Sequence, residues 1–117
     1  MQVITETSIP DYPLLSRGKV RDIYEIDEDT LLIVTTDRMS AFDVVLPDPI
    51  PFKGAVLNQI TLFWMNMFAD QVDNHLLASQ VSDFPKPLHK HDDQIRGRSV
   101  LVRKASPLPI ECIVRGY

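Results

Sequence analysis

A chain of 117 residues, 44% hydrophobic and 24% charged, has the size and balance of one soluble globular domain rather than of a disordered segment. Its net charge of −4 argues against a general nucleic-acid or membrane surface, and no apolar run nears the ~20 residues of a membrane-spanning helix. The lone cysteine, Cys112, rules out an internal disulfide; with no basic-then-apolar leader at the start, the expectation is a reducing, cytoplasmic setting.

Residues 1–13 read as an extended lead-in closed by Pro10 and Pro13. Residues 14–26 read as a β-hairpin, because Val20, Ile23, Tyr24 and Ile26 are strand formers and Gly18 supplies a permissive turn. Asp27-Glu28-Asp29 makes a charged turn, and residues 31–36 form a continuous apolar strand expected at the centre of its sheet. A polar connector spans 37–43, followed by Val44-Val45-Leu46 and a stiff proline-rich stretch over 47–51. Residues 54–70 are the convincing helix, with Val56, Ile60, Phe63, Trp64, Met67 and Phe68 predicted on its buried face and Asn58, Thr61, Asn66 and Asp70 opposite.

Residues 76–79 read as a short strand, 83–95 as a polar loop opened by Pro85 and Pro87, and 99–104 and 109–115 as two further strands. The order defines an α+β layer, an antiparallel-type sheet with one main helix packed across it. The last predicted strand places Glu111 and Arg115 among Ile110, Cys112, Ile113 and Val114, where charges need partners or ligands, and Cys112 reads as inert core filler. Because the chain stops at that strand, further polypeptide is expected beyond it.

Three segments have the composition for chemistry. In Ser16-Arg17-Gly18-Lys19-Val20-Arg21-Asp22, a glycine at a hairpin tip lets backbone N–H groups approach a phosphate while flanking cations supply counter-charge. An ordinary hairpin with solvated cations fits the same residues. In Thr35-Thr36-Asp37-Arg38-Met39-Ser40-Ala41-Phe42-Asp43, a buried strand runs out into groups able to hold carboxylate, phosphate, sugar hydroxyl or metal, or, as Asp37 with Arg38, simply to pair locally. Lys104 follows the alternating Val100-Leu101-Val102, which puts it at a cleft wall, while Glu111 and Arg115 share one strand face as a salt bridge or as a pocket mouth. The basic residues gather in two places, Arg17, Lys19 and Arg21, then Arg96, Arg98, Arg103 and Lys104, a pattern suited to a small anionic ligand rather than a polyanion. His89-Lys90-His91-Asp92-Asp93 has no partner ligands at metal spacing and reads as a solvated loop.

These segments, with Lys53-Gly54 opening the helix and Leu108-Pro109-Ile110-Glu111-Cys112-Ile113-Val114-Arg115-Gly116-Tyr117, together resemble the N-terminal part of the SAICAR synthetase family over residues 14–117. The resemblance implies a ligase of purine biosynthesis that uses ATP and Mg²⁺ to join L-aspartate to the carboxylate of a phosphorylated aminoimidazole ribotide (CAIR) through an acyl phosphate. It implies a fold like the small ATP-binding lobe of protein kinases. It places Arg17, Gly18, Lys19 and Val20 on the ATP phosphates, Lys104, Glu111 and Cys112 on the rest of the nucleotide, and Arg38, Ser40, Asp43 and Arg115 on the substrate. It assigns no catalytic residue and no Mg²⁺ ligand here, and implies no nucleic-acid or membrane partner.

Members of that family continue past Arg-Gly-Tyr into a larger lobe. On the resemblance, residues 1–117 are therefore one N-terminal ATP-binding lobe, inactive alone, with apolar surface near 108–117 open to self-association. A stand-alone nucleotide- or anion-binding module without catalysis is the competing expectation, and a small interaction domain with solvated charges is a third.

Overall fold

The alternation of Asp22 and Tyr24 with Arg21, Ile23 and Glu25 puts one side chain in two on each face of a strand, and the observed sheet follows that period. The structure, a computed structural model, describes residues 2–116. Strand β1 spans Leu14–Arg17, β2 Arg21–Glu25, β3 Thr30–Thr35, β4 Ser40–Ala41 and β5 Val44–Val45. Helix α1 spans Lys53–Met67, followed by β6 at Leu76–Ala78, short 3₁₀ turns at Val81–Asp83 and Lys86–His91, α2 at Asp92–Ile95 and β7 at Ser99–Arg103. Five strands form one antiparallel sheet in the order β1-β2-β3-β7-β6, and β4 with β5 makes a separate small hairpin. The predicted α+β class, the first hairpin and the central position of β3 are as expected.

Both faces of the sheet are covered. On one, Tyr24, Leu32 and Val34 pack with Ile9, Phe84, Leu88 and Ile95; on the other, Val100 and Val102 meet Leu62 of α1. The segment over 83–95 is therefore not the polar loop its prolines implied. Phe84 just after the first 3₁₀ turn, Leu88 in the second and Ile95 in α2 are all buried, and Pro85 and Pro87 sit where a turn begins and needs no amide donor. Its two histidines are bound into the packing, His89 Nε2 to Phe84 O and His91 Nε2 to Asp11 Oδ1, each at 2.8 Å.

The helix also differs from expectation. The side buried against the sheet carries Gly54, Asn58 and Leu62, while Val56, Ile60, Phe63, Trp64, Met67 and Phe68 are about half exposed. Periodicity identifies side chains that gain from burial but not the surface that covers them, and here the sheet takes the side with the small residue. Gly54 is what permits that approach, since a Cβ there would lie 2.1 Å from Thr35 O and 2.7 Å from Thr36 O.

The predicted strand over 109–115 does not form. Residues 104–116 are exposed and pair with no strand, so Glu111 and Arg115 are not held on a common strand face and Cys112 is exposed rather than core. A strand needs a neighbour for its backbone groups, and among the described residues neither sheet edge, β1 or β6, is paired with 109–115. Tyr117, the last residue of the segment that carries the family resemblance, lies outside the described residues.

Candidate functional site

The turn between β1 and β2 is built from the inside. Asp22 projects into the protein from β2 with no exposed surface, and its carboxylate accepts from Thr7 N at 2.9 Å, Thr7 Oγ1 at 2.8 Å, Arg17 Nε at 3.1 Å and Arg38 at 3.0 Å. Burial alone pushes this carboxyl up, but the Thr7 bonds and the Arg38 guanidinium outweigh it, and the group is held below its ordinary range. Arg38 gives three further donors to carbonyls: Nε to Lys19 O at 3.2 Å, Nη2 to Gly18 O at 2.8 Å and Nη1 to Thr5 O at 2.7 Å. One side chain thus ties the lead-in segment to both carbonyls of the turn.

Outside this brace the turn faces solvent. Ser16, Gly18, Lys19, Val20, Arg21 and Ile23 line a shallow depression of about 240 Å³. The turn closes by Gly18 N to Arg21 O at 2.8 Å. Gly18 does not take the left-handed backbone expected of a permissive glycine, and a Cβ there would meet only Arg21 O at an ordinary 3.6 Å.

Two residues expected on different ligands meet here. The Lys19 ammonium bonds the Asp43 carboxylate and holds it below the usual carboxylate range. Asp43 is carried by the β4–β5 hairpin, whose two turn residues Phe42 and Asp43 have φ of 51° and 63°, the left-handed pair that suits the twist of a tight hairpin. Ser40 lies in β4 opposite Val45. Next to it, Thr5, Glu6, Arg38, Val45 and Leu46 line a depression of about 270 Å³.

Lys104 lies at the other end of the sheet. The register pairs Arg21 with Thr35 beside the Gly18 turn and Thr30 with Arg103 at the opposite end, where Lys104 Nζ bonds Glu25 Oε2 at 3.2 Å. Glu111, Cys112 and Arg115 follow from that end, exposed. The predicted residues therefore occupy two stations separated by the length of β2 rather than a single cluster. A larger depression, about 640 Å³ around Gln59, Ser79, His89 and Arg96, is distinct from both stations, and its His89 and Arg96 already bond Phe84 O and Asp92.

A second buried carboxylate braces the helix. Asp37 accepts from Ile4 N, Gly54 N and, at two points, from Arg98 at 2.9 and 3.2 Å. Burial raises its carboxyl, and the Arg98, Ile4 and Gly54 bonds bring it below the ordinary range. The expected local Asp37–Arg38 pair is replaced by two longer ones, Asp37 with Arg98 and Arg38 with Asp22. Sequence reading missed Asp22 and Arg98 as organising charges. The signal was present at Asp22, a charge on the core-facing side of an alternating strand.

The fold has solved counterparts. A SAICAR synthase from Saccharomyces cerevisiae, described in complex with SAICAR, is 42% identical with a TM-score of 0.78 over 86% of this chain and 36% of its own. A second SAICAR synthase structure is 41% identical with a TM-score of 0.82 over 91% of this chain and 38% of its own. The SAICAR synthetase family profile matches residues 14–117. A phosphoribosylaminoimidazole-succinocarboxamide synthase from Maridesulfovibrio salexigens is 68% identical over 97% of this chain. This α+β chain belongs to the SAICAR synthetase family. It spans about 38% of the length of that relative.

Proposed function

We propose that this chain supplies the ATP-side lobe, and part of the substrate site, of a ligase that joins L-aspartate to the carboxylate of CAIR, giving SAICAR, ADP and phosphate. The setting is cytoplasmic purine biosynthesis, and the lobe corresponds to the small lobe of a kinase-like cleft. The observation that carries the reading is Gly18. Nothing in the free fold needs glycine there, since its backbone is not left-handed and a Cβ has room. A phosphate brought against the turn supplies the missing reason, because a side chain at 18 blocks its approach to the backbone.

In this reading the nucleotide lies along β1 and β2. Its phosphates sit at Arg17, Gly18, Lys19 and Val20, and its base lies toward Lys104, Glu111 and Cys112 at the other end of the sheet. The length of β2, about 3.3 Å per residue, gives that separation. Lys19 neutralises phosphate charge after exchanging its Asp43 partner for the ligand. Arg38, Ser40, Asp43 and Arg115 serve the ribotide side, with Arg38 lining the second depression.

Transfer of the γ-phosphoryl group to the CAIR carboxylate makes an acyl phosphate and releases ADP. The aspartate amine then attacks the carbonyl carbon, loses a proton and expels phosphate. Such chemistry rests on positioning and charge neutralisation, which a cationic turn provides. Among the described residues no three His, Cys, Asp or Glu side chains converge on a metal position, and Asp22 and Asp37 are fully engaged internally. These residues do not fit a Mg²⁺ site of their own, and the ion enters as the counter-ion of the nucleotide substrate.

The test is Gly18→Ala. Mg-ATP raises the thermal midpoint of the parent chain, and Gly18→Ala keeps the ligand-free midpoint while losing most of that rise. A Gly18→Ala chain stabilised by Mg-ATP as fully as the parent refutes the phosphate contact. The exposed apolar side chains of α1 and of residues 108–114 make self-association a further expected property.

A further inference from the structure

Three consecutive carbonyls of the β1–β2 turn are drawn inward. Gly18 O and Lys19 O accept from Arg38, and Val20 O accepts from Thr36 N at 2.8 Å and Thr36 Oγ1 at 2.7 Å. No described peptide bond is cis. In a planar trans peptide the carbonyl of one residue and the N–H of the next point in opposite directions. Holding Gly18 O and Lys19 O against Arg38 therefore turns the N–H groups of Lys19 and Val20 away from it. Neither amide donates to another described residue.

We infer that Arg38, seconded by Thr36, is a positioning residue that aims the Lys19 and Val20 amides outward as a donor pair for the nucleotide phosphates. The inference rests on the proposed ATP reading and gives Arg38 a role beyond contact with the ribotide. The brace is itself fixed. Arg38 is nearly buried, and its Nη2 is shared between Gly18 O and the fully buried Asp22, which four donors hold in place. A guanidinium reaches two carbonyls and a carboxylate at once because its donors lie in one rigid plane. A lysine at 38 keeps the charge but offers a single point, so one carbonyl is freed to rotate and its amide turns with it. Two adjacent outward N–H groups beside a lysine form an anion-binding concavity.

The experiment is ¹⁵N-resolved NMR titration of the 117-residue chain with Mg-ATP and, separately, adenosine, in the parent, Arg38→Lys and Thr36→Val. In the parent, Mg-ATP moves the Lys19 and Val20 amide resonances and adenosine does not. Arg38→Lys weakens Mg-ATP about tenfold and leaves adenosine affinity unchanged, the loss expected when one charge-assisted hydrogen bond is misaligned. Thr36→Val retains the amide bond to Val20 O, folds in any case where Arg38→Lys does not, and weakens Mg-ATP by about twofold to threefold. A purely structural role lowers both ligands' affinities together, which overturns the inference. So does parent-like Mg-ATP binding in both variants while the Lys19 and Val20 amides still respond. If Mg-ATP leaves residues 16–21 unmoved in the parent, the phosphate reading itself fails and the inference falls with it.

Discussion

Asp37 and Arg98 are 61 residues apart in sequence and face each other as a buried two-point pair, with Arg98 Nη1 at 2.9 Å and Nη2 at 3.2 Å from the carboxylate oxygens. The pair joins the end of β3 to the start of β7, and Gly54 N adds the first turn of α1 to the same carboxylate. An anion is favoured at that position by the exposed amides of a helix start.

Removing the charge of Asp37 leaves Arg98 buried beside a neutral amide. Asp37→Asn is expected to lower unfolding free energy by about 3–5 kcal/mol, the cost of an uncompensated buried charge. Urea denaturation measures it, and a loss below about 1 kcal/mol, the value of an exposed pair, contradicts the buried-pair assignment.

The two buried carboxylates also set the response to acid. Asp22 and Asp37 titrate below the ordinary 3.8 in the folded chain, so the unfolded state binds protons first as pH falls. Their stabilisation is therefore fully present above the unfolded value and is lost as pH drops through the folded values. Stability measured by urea should hold near neutrality, then fall steeply once the medium passes below 3.8. Asp22→Asn makes that acid limb shallower; an unchanged slope shows that other groups govern acid unfolding.

Gly54 is a steric requirement of a different kind. A methyl group there meets Thr35 O at 2.1 Å, Arg98 Nη1 at 2.6 Å and Thr36 O at 2.7 Å, two of which are backbone atoms that cannot swing aside. Gly54→Ala should cost at least the ~1–3 kcal/mol of ordinary overpacking and push α1 off the sheet. Its far-ultraviolet circular dichroism and thermal midpoint test this. By contrast Gly116→Ala, with open space around its Cα, should leave both unchanged.

The Lys19–Asp43 pair is exposed on both sides and competes with any anion brought to the turn. Asp43→Asn frees Lys19, and Mg-ATP should bind the isolated chain up to about fivefold more tightly, the range of an exposed ion pair. Isothermal titration at two salt concentrations reads it, with the gain shrinking as salt rises. Equal or weaker affinity in Asp43→Asn shows that the pair does not compete with the phosphates.

The strands that were legible in the sequence carried their own local signal. β2 and β3 alternate or run apolar, and charged residues mark the turn between them. What misled was every place where the partner, not the segment, decides. Residues 109–115 have strand-forming side chains but pair with neither sheet edge, β1 or β6. Leu88 and Ile95 were hidden behind two prolines that begin a turn instead of breaking one. At the site the Gly18 turn was readable from its residues, whereas the inward role of Arg38 required knowing that Asp22 and Thr5 lie on its far side.

The apolar face of α1 yields the last prediction. Phe63 and Trp64 meet edge to face at 5.1 Å and Trp64 stacks on Phe68 at 5.8 Å, so the three rings form an ordered patch that remains about half exposed. Single exposed apolar residues are ordinary, but a contiguous aromatic patch favours burial against another surface. The 117-residue chain should therefore associate with itself in a concentration-dependent way, by sedimentation velocity. Because these rings lie outside both core clusters, a Trp64→Glu and Phe68→Glu double substitution should return the chain to monomer with little change in its thermal midpoint. A large drop in the midpoint would mean that the patch supports the fold itself. An unchanged association would move the contact to another exposed region, such as residues 108–114.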